Sequence, residues 1–206
     1  MSIIQPCIYL ASQSPRRREL LKQIGGNFEI LPLRTDPRRI IDVDETPHAN
    51  ESPDSYVRRV CQVKAEMANM VLQLRNLPLY PVLAADTTVT LDGKILGKPE
   101  HAGQAAEMLR QLSGREHQVF SAVAIALGNQ IEVALSISSV RFAKLSEERI
   151  NCYLLTDEYA DKAGGYAIQG YAAAFIEHIS GSYSGVMGLP LFETARLLHH
   201  FGYPIP

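Results

Sequence analysis

The segment Ser12-Gln13-Ser14-Pro15-Arg16-Arg17 follows an apolar run, Ile8 to Ala11, and opens a helical pattern. A strand that turns into a helix there leaves backbone N–H groups and the positive end of the helix dipole facing an anion. Two hydroxyls, Ser12 and Ser14, and two guanidiniums, Arg16 and Arg17, add donors, some of which bind phosphate oxygens in pairs. The plainer alternative is a serine cap beside solvated arginines. Arginines in a first helical turn oppose the dipole, however, and ask for a compensating reason.

Four further segments carry chemistry. Lys64 falls in the middle of a helical stripe formed by Val57, Val60, Met67 and Val71, where a lysine either snorkels to water or meets an anion. Asp86 follows the apolar run Pro81 to Ala85, and a carboxylate at the carboxyl end of a buried strand stands where α/β folds bind ligands. Asp44 and Glu45 lie in a polar stretch and offer a second carboxylate to a hard metal, or form an ordinary solvated loop. Lys98 precedes Pro99, which holds it extended. In Asp161-Lys162-Ala163-Gly164-Gly165-Tyr166-Ala167-Ile168-Gln169-Gly170, the glycines allow close approach of the backbone to a flat ligand. Gln169 supplies both a donor and an acceptor for a base edge. A flexible loop with an incidental glutamine is the competing reading.

These residues need a frame. Strands are expected at Ile8 to Ala11, Phe28 to Leu31, Pro81 to Ala85, Thr87 to Leu91, Lys94 to Leu96, Val119 to Leu127, Ile131 to Phe142 and Phe175 to Ile179. Asp92-Gly93 and Gly128-Asn129 mark hairpins. Helices are expected over 16–24, 53–75, 101–112, 146–156 and 190–201, with Ser14 and Ser146 as caps. Residues 34–52 read as a loop. Strands and helices mixed without strict alternation predict an α/β fold with a long, twisted mixed sheet.

Composition bounds the rest. The chain has 206 residues, 46% of them hydrophobic, enough for one sizeable core. A net charge of −2 gives no global basic field to recruit nucleic acid, so an anionic substrate needs a local cluster of cations. Cys7, Cys61 and Cys152 form neither a zinc pattern nor a disulfide framework. The six histidines show no ligand-like spacing. No signal peptide and no span of about 18 apolar residues is apparent, which points to the cytoplasm.

Taken in order, LASQSPRRRELL, DVDE, ESPDSYVRRVCQVKA, VLAADTTV, GKILGKP, LSGREHQVFSAVAI, DKAGGYAIQG and GSYSGVMGLPLFET resemble the Maf family of nucleotide pyrophosphatases through nearly the whole chain. The resemblance implies one bilobed domain over 1–206, an elongated twisted mixed sheet with flanking helices around a cleft, similar to the inosine triphosphatase-like fold. It implies hydrolysis of the α–β phosphoanhydride of a nucleoside triphosphate, with Mg²⁺ or Mn²⁺, in a cytoplasmic homodimer. By motif, Asp86 matches the catalytic aspartate and Glu45 an acidic residue near the metal. Ser14, Arg16, Arg17, Lys64 and Lys98 match the phosphate-side residues. Arg16, Thr87 and Gln169 match positions tied to dTTP and UTP, which the Tyr-x-Ile-Gln-Gly pattern favours. Two rivals stand beside that expectation: a pyrophosphatase for 7-methyl-GTP, and a nucleotide-binding division regulator without turnover. Gly165, where the pattern often has Ala, and the long loop at 34–41 depart from the family.

Overall fold

The computed structural model describes residues 7–33, 43–203 and 205. In chain order the elements are β1 (Ile8–Leu10), α1 (Pro15–Gln23), β2 (Phe28–Ile30), α2 (Pro53–Leu74), β3 (Val82–Leu91), β4 (Lys94–Leu96), α3 (Ala102–Leu112), β5 (Glu116–Leu127), β6 (Gln130–Phe142), α4 (Glu147–Leu154), β7 (Ile176–Ser180), α5 (Tyr183–Met187) and α6 (Leu191–His200). The expected long loop over 34–41 lies outside the described residues. The seven strands form one mixed sheet in the order β2-β1-β3-β5-β6-β7, with β4 also paired to β3. β1 runs parallel to β2 and to β3, and the remaining pairs are antiparallel. The expected mixed α/β sheet is therefore present.

Side chains alternate across a strand, and β3 uses both faces. Val82 and Ala84 pack with Ala122, Ala124 and the buried stripe of α2. Leu83 and Ala85 face the other way, onto Leu20 and Leu21 of α1 and Leu197 and Leu198 of α6. Further along, Val89 and Leu91 join a third cluster with α3 and α4. Burying these apolar faces is the main favourable term holding the helices on the sheet.

One turn and one helix cap match the sequence reading. Asp92 and Gly93 both take positive φ, 51° and 76°, as the tight β3–β4 hairpin requires. Ser146 caps α4 by accepting from the Arg149 N–H at 3.2 Å. Ser14 flanks α1 in an extended conformation, but its side chain makes no capping bond.

One boundary differs from expectation in a way that matters. Asp86 is not at a strand end; it lies in the middle of β3, which continues to Leu91. β5 pairs with β3 from Val82 to Thr90 and so occupies one whole edge. β1 and β4 must then share the other edge, β1 at Val82 and Leu83, β4 from Val89 to Leu91. Asp86 sits in the interval between them. The sheet opens there because β1 stops and its chain turns into α1, so the logic of a ligand site beyond a strand end belongs to β1 rather than β3.

Candidate active site

Asp86 has the same parity as Val82 and Ala84, and therefore faces α2. Lys64 on α2 meets it: Nζ lies 2.7 Å from Asp86 Oδ1 and 2.7 Å from Glu45 Oε1. The lysine in the apolar stripe thus finds anions rather than bulk water. Asp86 is 8% exposed as a residue, whereas the Glu45 side chain remains 46% exposed. Asp44 does not join them; its Oδ1 accepts from the Thr46 N–H at 2.9 Å in a local turn.

A cavity of about 740 Å³ opens over this pair, a size ordinary for small-molecule sites. Ser14, Arg16, Arg17, Glu45, Lys64, Asp86, Thr87, Lys98 and Gln169 all line it. Five cations, Arg16, Arg17, Lys64, Lys98 and Lys162, face three carboxylates, Glu45, Asp86 and Asp161. The local excess of positive charge in a chain of net charge −2 suits a polyanion.

Two of the cations, Lys64 and Arg17, are held by bonds within the protein. Arg17 donates from Nε to the Gly188 carbonyl at 2.8 Å and from Nη1 to Ser12 Oγ at 3.3 Å. Burial pulls the Arg17 pKa down, while Asp86 and Glu45 push back; a guanidinium keeps its charge regardless. Arg16 is lowered by burial and by its neighbour Arg17, against the pull of Asp161 and Glu158. Burial raises the Glu45 carboxyl, but Lys64, then Lys98 and Arg17, bring it to a net value below the ordinary range. Glu45 thus feels cations from three separate segments.

Thr87 faces the opposite side from Asp86. Its Oγ1 is 3.0 Å from Ser121 Oγ, and Ser121 Oγ donates to the Gly185 carbonyl at 2.6 Å. A hydroxyl has one proton. Since Ser121 spends its proton on Gly185, Thr87 donates to Ser121 and presents lone pairs to the cavity. Gln169 is exposed and lies on a segment fixed at several points. The Gly164 N–H donates to the Gly97 carbonyl at 3.0 Å, and the Tyr153 hydroxyl to the Gly165 carbonyl at 3.2 Å. The Glu158 carboxylate accepts the N–H groups of Tyr171 and Ala172 at 2.7 and 3.2 Å. Gly164 has φ 69°, and a Cβ there would come within 3.0 Å of Val89.

Sequence reasoning passed over Lys162, Tyr56 and Arg59. Lys162 lines the cavity, and its pKa is lowered by burial and then by Arg16. The signal available was its place in the same glycine-rich segment as Gln169. The Tyr56 hydroxyl donates to the Glu45 carbonyl at 2.9 Å.

Among the described residues no group of three or more His, Cys, Asp or Glu could hold a metal. Glu45 and Asp86 form a two-carboxylate set bridged by Lys64. That fits a hard cation of the Mg²⁺ kind, which takes one or two carboxylates and completes its shell with waters and substrate phosphates.

The sequence model described as Maf-like protein matches residues 7–201. A Nitrosospira multiformis protein named dTTP/UTP pyrophosphatase is 58% identical over 198 residues, covering 96% of this chain and 96% of that protein. An Aromatoleum aromaticum protein of the same name is 55% identical over 206 residues, covering 100% of both. One from Nitrosomonas europaea is 56% identical over 199 residues, covering 97% of this chain and 96% of its own. Among solved structures, the Staphylococcus aureus Ham1 protein matches at TM-score 0.46 and 16% identity, over 74% of this chain and 98% of that one; so loose a likeness decides nothing about the chemistry.

Proposed function

The chain belongs to the Maf family, and on that premise we propose that it is a nucleoside triphosphate pyrophosphatase hydrolysing dTTP and UTP to the monophosphate and pyrophosphate. The observation that carries the reading is the Glu45–Lys64–Asp86 bridge, set in a cavity that also gathers Arg16, Arg17 and Lys98.

Arg16, Arg17, Lys64 and Lys98 neutralise the triphosphate, and Ser14 with the first turn of α1 adds donors. Fixing the phosphates in a cationic cavity supplies most of the rate in phosphoryl transfer, where positioning and charge stabilisation dominate. Asp86 orients the attacking water and takes its proton as the bond to the α-phosphorus forms and the α–β anhydride breaks. The leaving pyrophosphate carries its new charge into the cations. Mg²⁺ or Mn²⁺ held by Glu45 and Asp86 would polarise a phosphoryl oxygen and shield charge.

Base preference falls to Arg16, Thr87 and Gln169. Thr87, an acceptor toward the cavity, suits a ligand N–H such as the imide of uracil and thymine, and Gln169 offers both roles. The enzyme acts as a cytoplasmic homodimer in this reading, which gel filtration of the purified chain tests for assembly.

The functional test is pyrophosphate release from a panel of nucleotides, with and without Mg²⁺ or Mn²⁺. UTP and dTTP turn over fastest, and only with metal. A preference for 7-methyl-GTP contradicts the substrate assignment. UTP binding without product in the presence of metal contradicts the enzyme reading and favours a nucleotide-binding regulator.

A further inference from the structure

Glu45 stands on residues 43–48, which form neither helix nor strand. Such a segment places a side chain accurately only if something else fixes its backbone. Here one helix does so. Arg59 on α2 donates from Nη1 to the Asp44 carbonyl at 3.3 Å and from Nη2 to the Thr46 carbonyl at 3.0 Å. Tyr56, one turn earlier, takes the Glu45 carbonyl between them at 2.9 Å. Three consecutive carbonyls are thereby tied to two side chains of α2, and the Glu45 carboxylate is tied to a third, Lys64.

The guanidinium is itself aimed. Glu51 accepts from Nε at 2.7 Å and from Nη2 at 2.8 Å, a paired contact that fixes the guanidinium plane. Glu51 is held in turn by the His48 N–H at 3.0 Å. The guanidinium carbon lies 5.6 Å from the centroid of the Tyr56 ring, so the two donors brace each other. A lysine at this position has three donors on one nitrogen and cannot reproduce the four contacts to both Glu51 oxygens and the two carbonyls.

We infer that Arg59, with Tyr56, is a positioning residue that holds Glu45 at the cavity through the backbone of residues 44–46. Arg59 does not line the cavity; it acts on the reaction through Glu45 alone. The inference rests on the pyrophosphatase reading for its kinetic consequence, but the clamp itself does not.

The test uses the full chain as wild type, Arg59→Lys, Tyr56→Phe and Glu45→Gln, with each clamp variant also combined with Glu45→Gln. Pyrophosphate release from UTP is measured alongside amide hydrogen exchange over residues 43–51. Each clamp variant should lower kcat/KM by about fivefold in the wild-type background and by less than about twofold beside Glu45→Gln, the signature of coupled positions. Exchange over 43–51 should accelerate about tenfold or more in both clamp variants, as expected when a local opening is made easier. Tyr56→Phe removes one oxygen from a buried ring and keeps the fold should Arg59→Lys prove unstable. Equal losses in the two backgrounds, or unchanged exchange, overturn the inference. A wild-type chain that releases no pyrophosphate contradicts the proposed function instead, and the exchange measurement still decides the clamp.

Discussion

Lys64 and Asp86, 22 positions apart, meet at 2.7 Å and join α2 to the middle of β3 at the floor of the cavity. The same ammonium holds Glu45 at 2.7 Å. Removing it sets two carboxylates near one another without a shared cation, and the cost falls chiefly on Asp86, which is buried, while Glu45 keeps part of its hydration.

Lys64→Met should therefore lower both activity and stability. The expected loss in kcat/KM for UTP is at least about tenfold, on the scale of one charge-assisted contact. Glu45 has a depressed pKa when folded, so its contribution is present above its ordinary value of 4.5 and is lost as pH falls below it. The Tm difference between wild type and Lys64→Met should accordingly narrow below that pH. A constant difference across the range would show that Lys64 does not hold Glu45 ionised.

His117 gives a second pH dependence of different origin. It is 2% exposed, hydrogen-bonded to the Tyr166 hydroxyl at 2.8 Å, and burial lowers its pKa from 6.5 to about 4. A depressed histidine is neutral when folded and takes up a proton on unfolding between those values. Its contribution is present in full above 6.5 and is lost as pH falls toward about 4. The span corresponds to roughly 3 kcal/mol. Denaturant titrations between pH 7 and 4 should show this slope in wild type and a flatter one in His117→Gln.

Thr87→Val keeps the shape of the side chain and deletes the acceptor. The variant should lose about three- to tenfold in kcat/KM for UTP, the scale of one neutral hydrogen bond. Ser121→Ala frees the Thr87 proton to turn toward the cavity and should shift the ratio of UTP to CTP turnover. An unchanged ratio in both variants would remove Thr87 from base selection.

Gly164→Ala meets two obstacles, a left-handed backbone and a Cβ within 3.0 Å of Val89. The backbone conformation alone costs about 1–3 kcal/mol for a residue with a side chain. The variant should melt earlier, and adding Val89→Ala should restore only the steric part. Full restoration by Val89→Ala would mean that the backbone conformation carries no cost.

Much of this was legible in the chain. The helical stripe made Lys64 conspicuous, the Asp92-Gly93 pair fixed a hairpin, and the serine–arginine turn marked the start of α1. What escaped depends on contacts between distant segments. Asp86 looked like a strand terminus standing between two separate strands, Pro81 to Ala85 and Thr87 to Leu91, yet the two are one: β5 pairs with β3 continuously from Val82 to Thr90, and Thr87 finds Ser121 across that pair. Arg59 carried no signal in the sequence, because the backbone carbonyls it holds come from a distant segment whose placement no local pattern announces. Lys162 sits beside Arg16 only after the sheet brings residues 16 and 162 to one cavity.

The most direct test of the account is the turnover of UTP by Asp86→Asn with Mg²⁺ or Mn²⁺ present, with a thermal melt to show that the variant is folded. A loss of at least about 100-fold in kcat is expected for a residue that takes the proton of the attacking water. Wild-type turnover by folded Asp86→Asn would contradict the central claim.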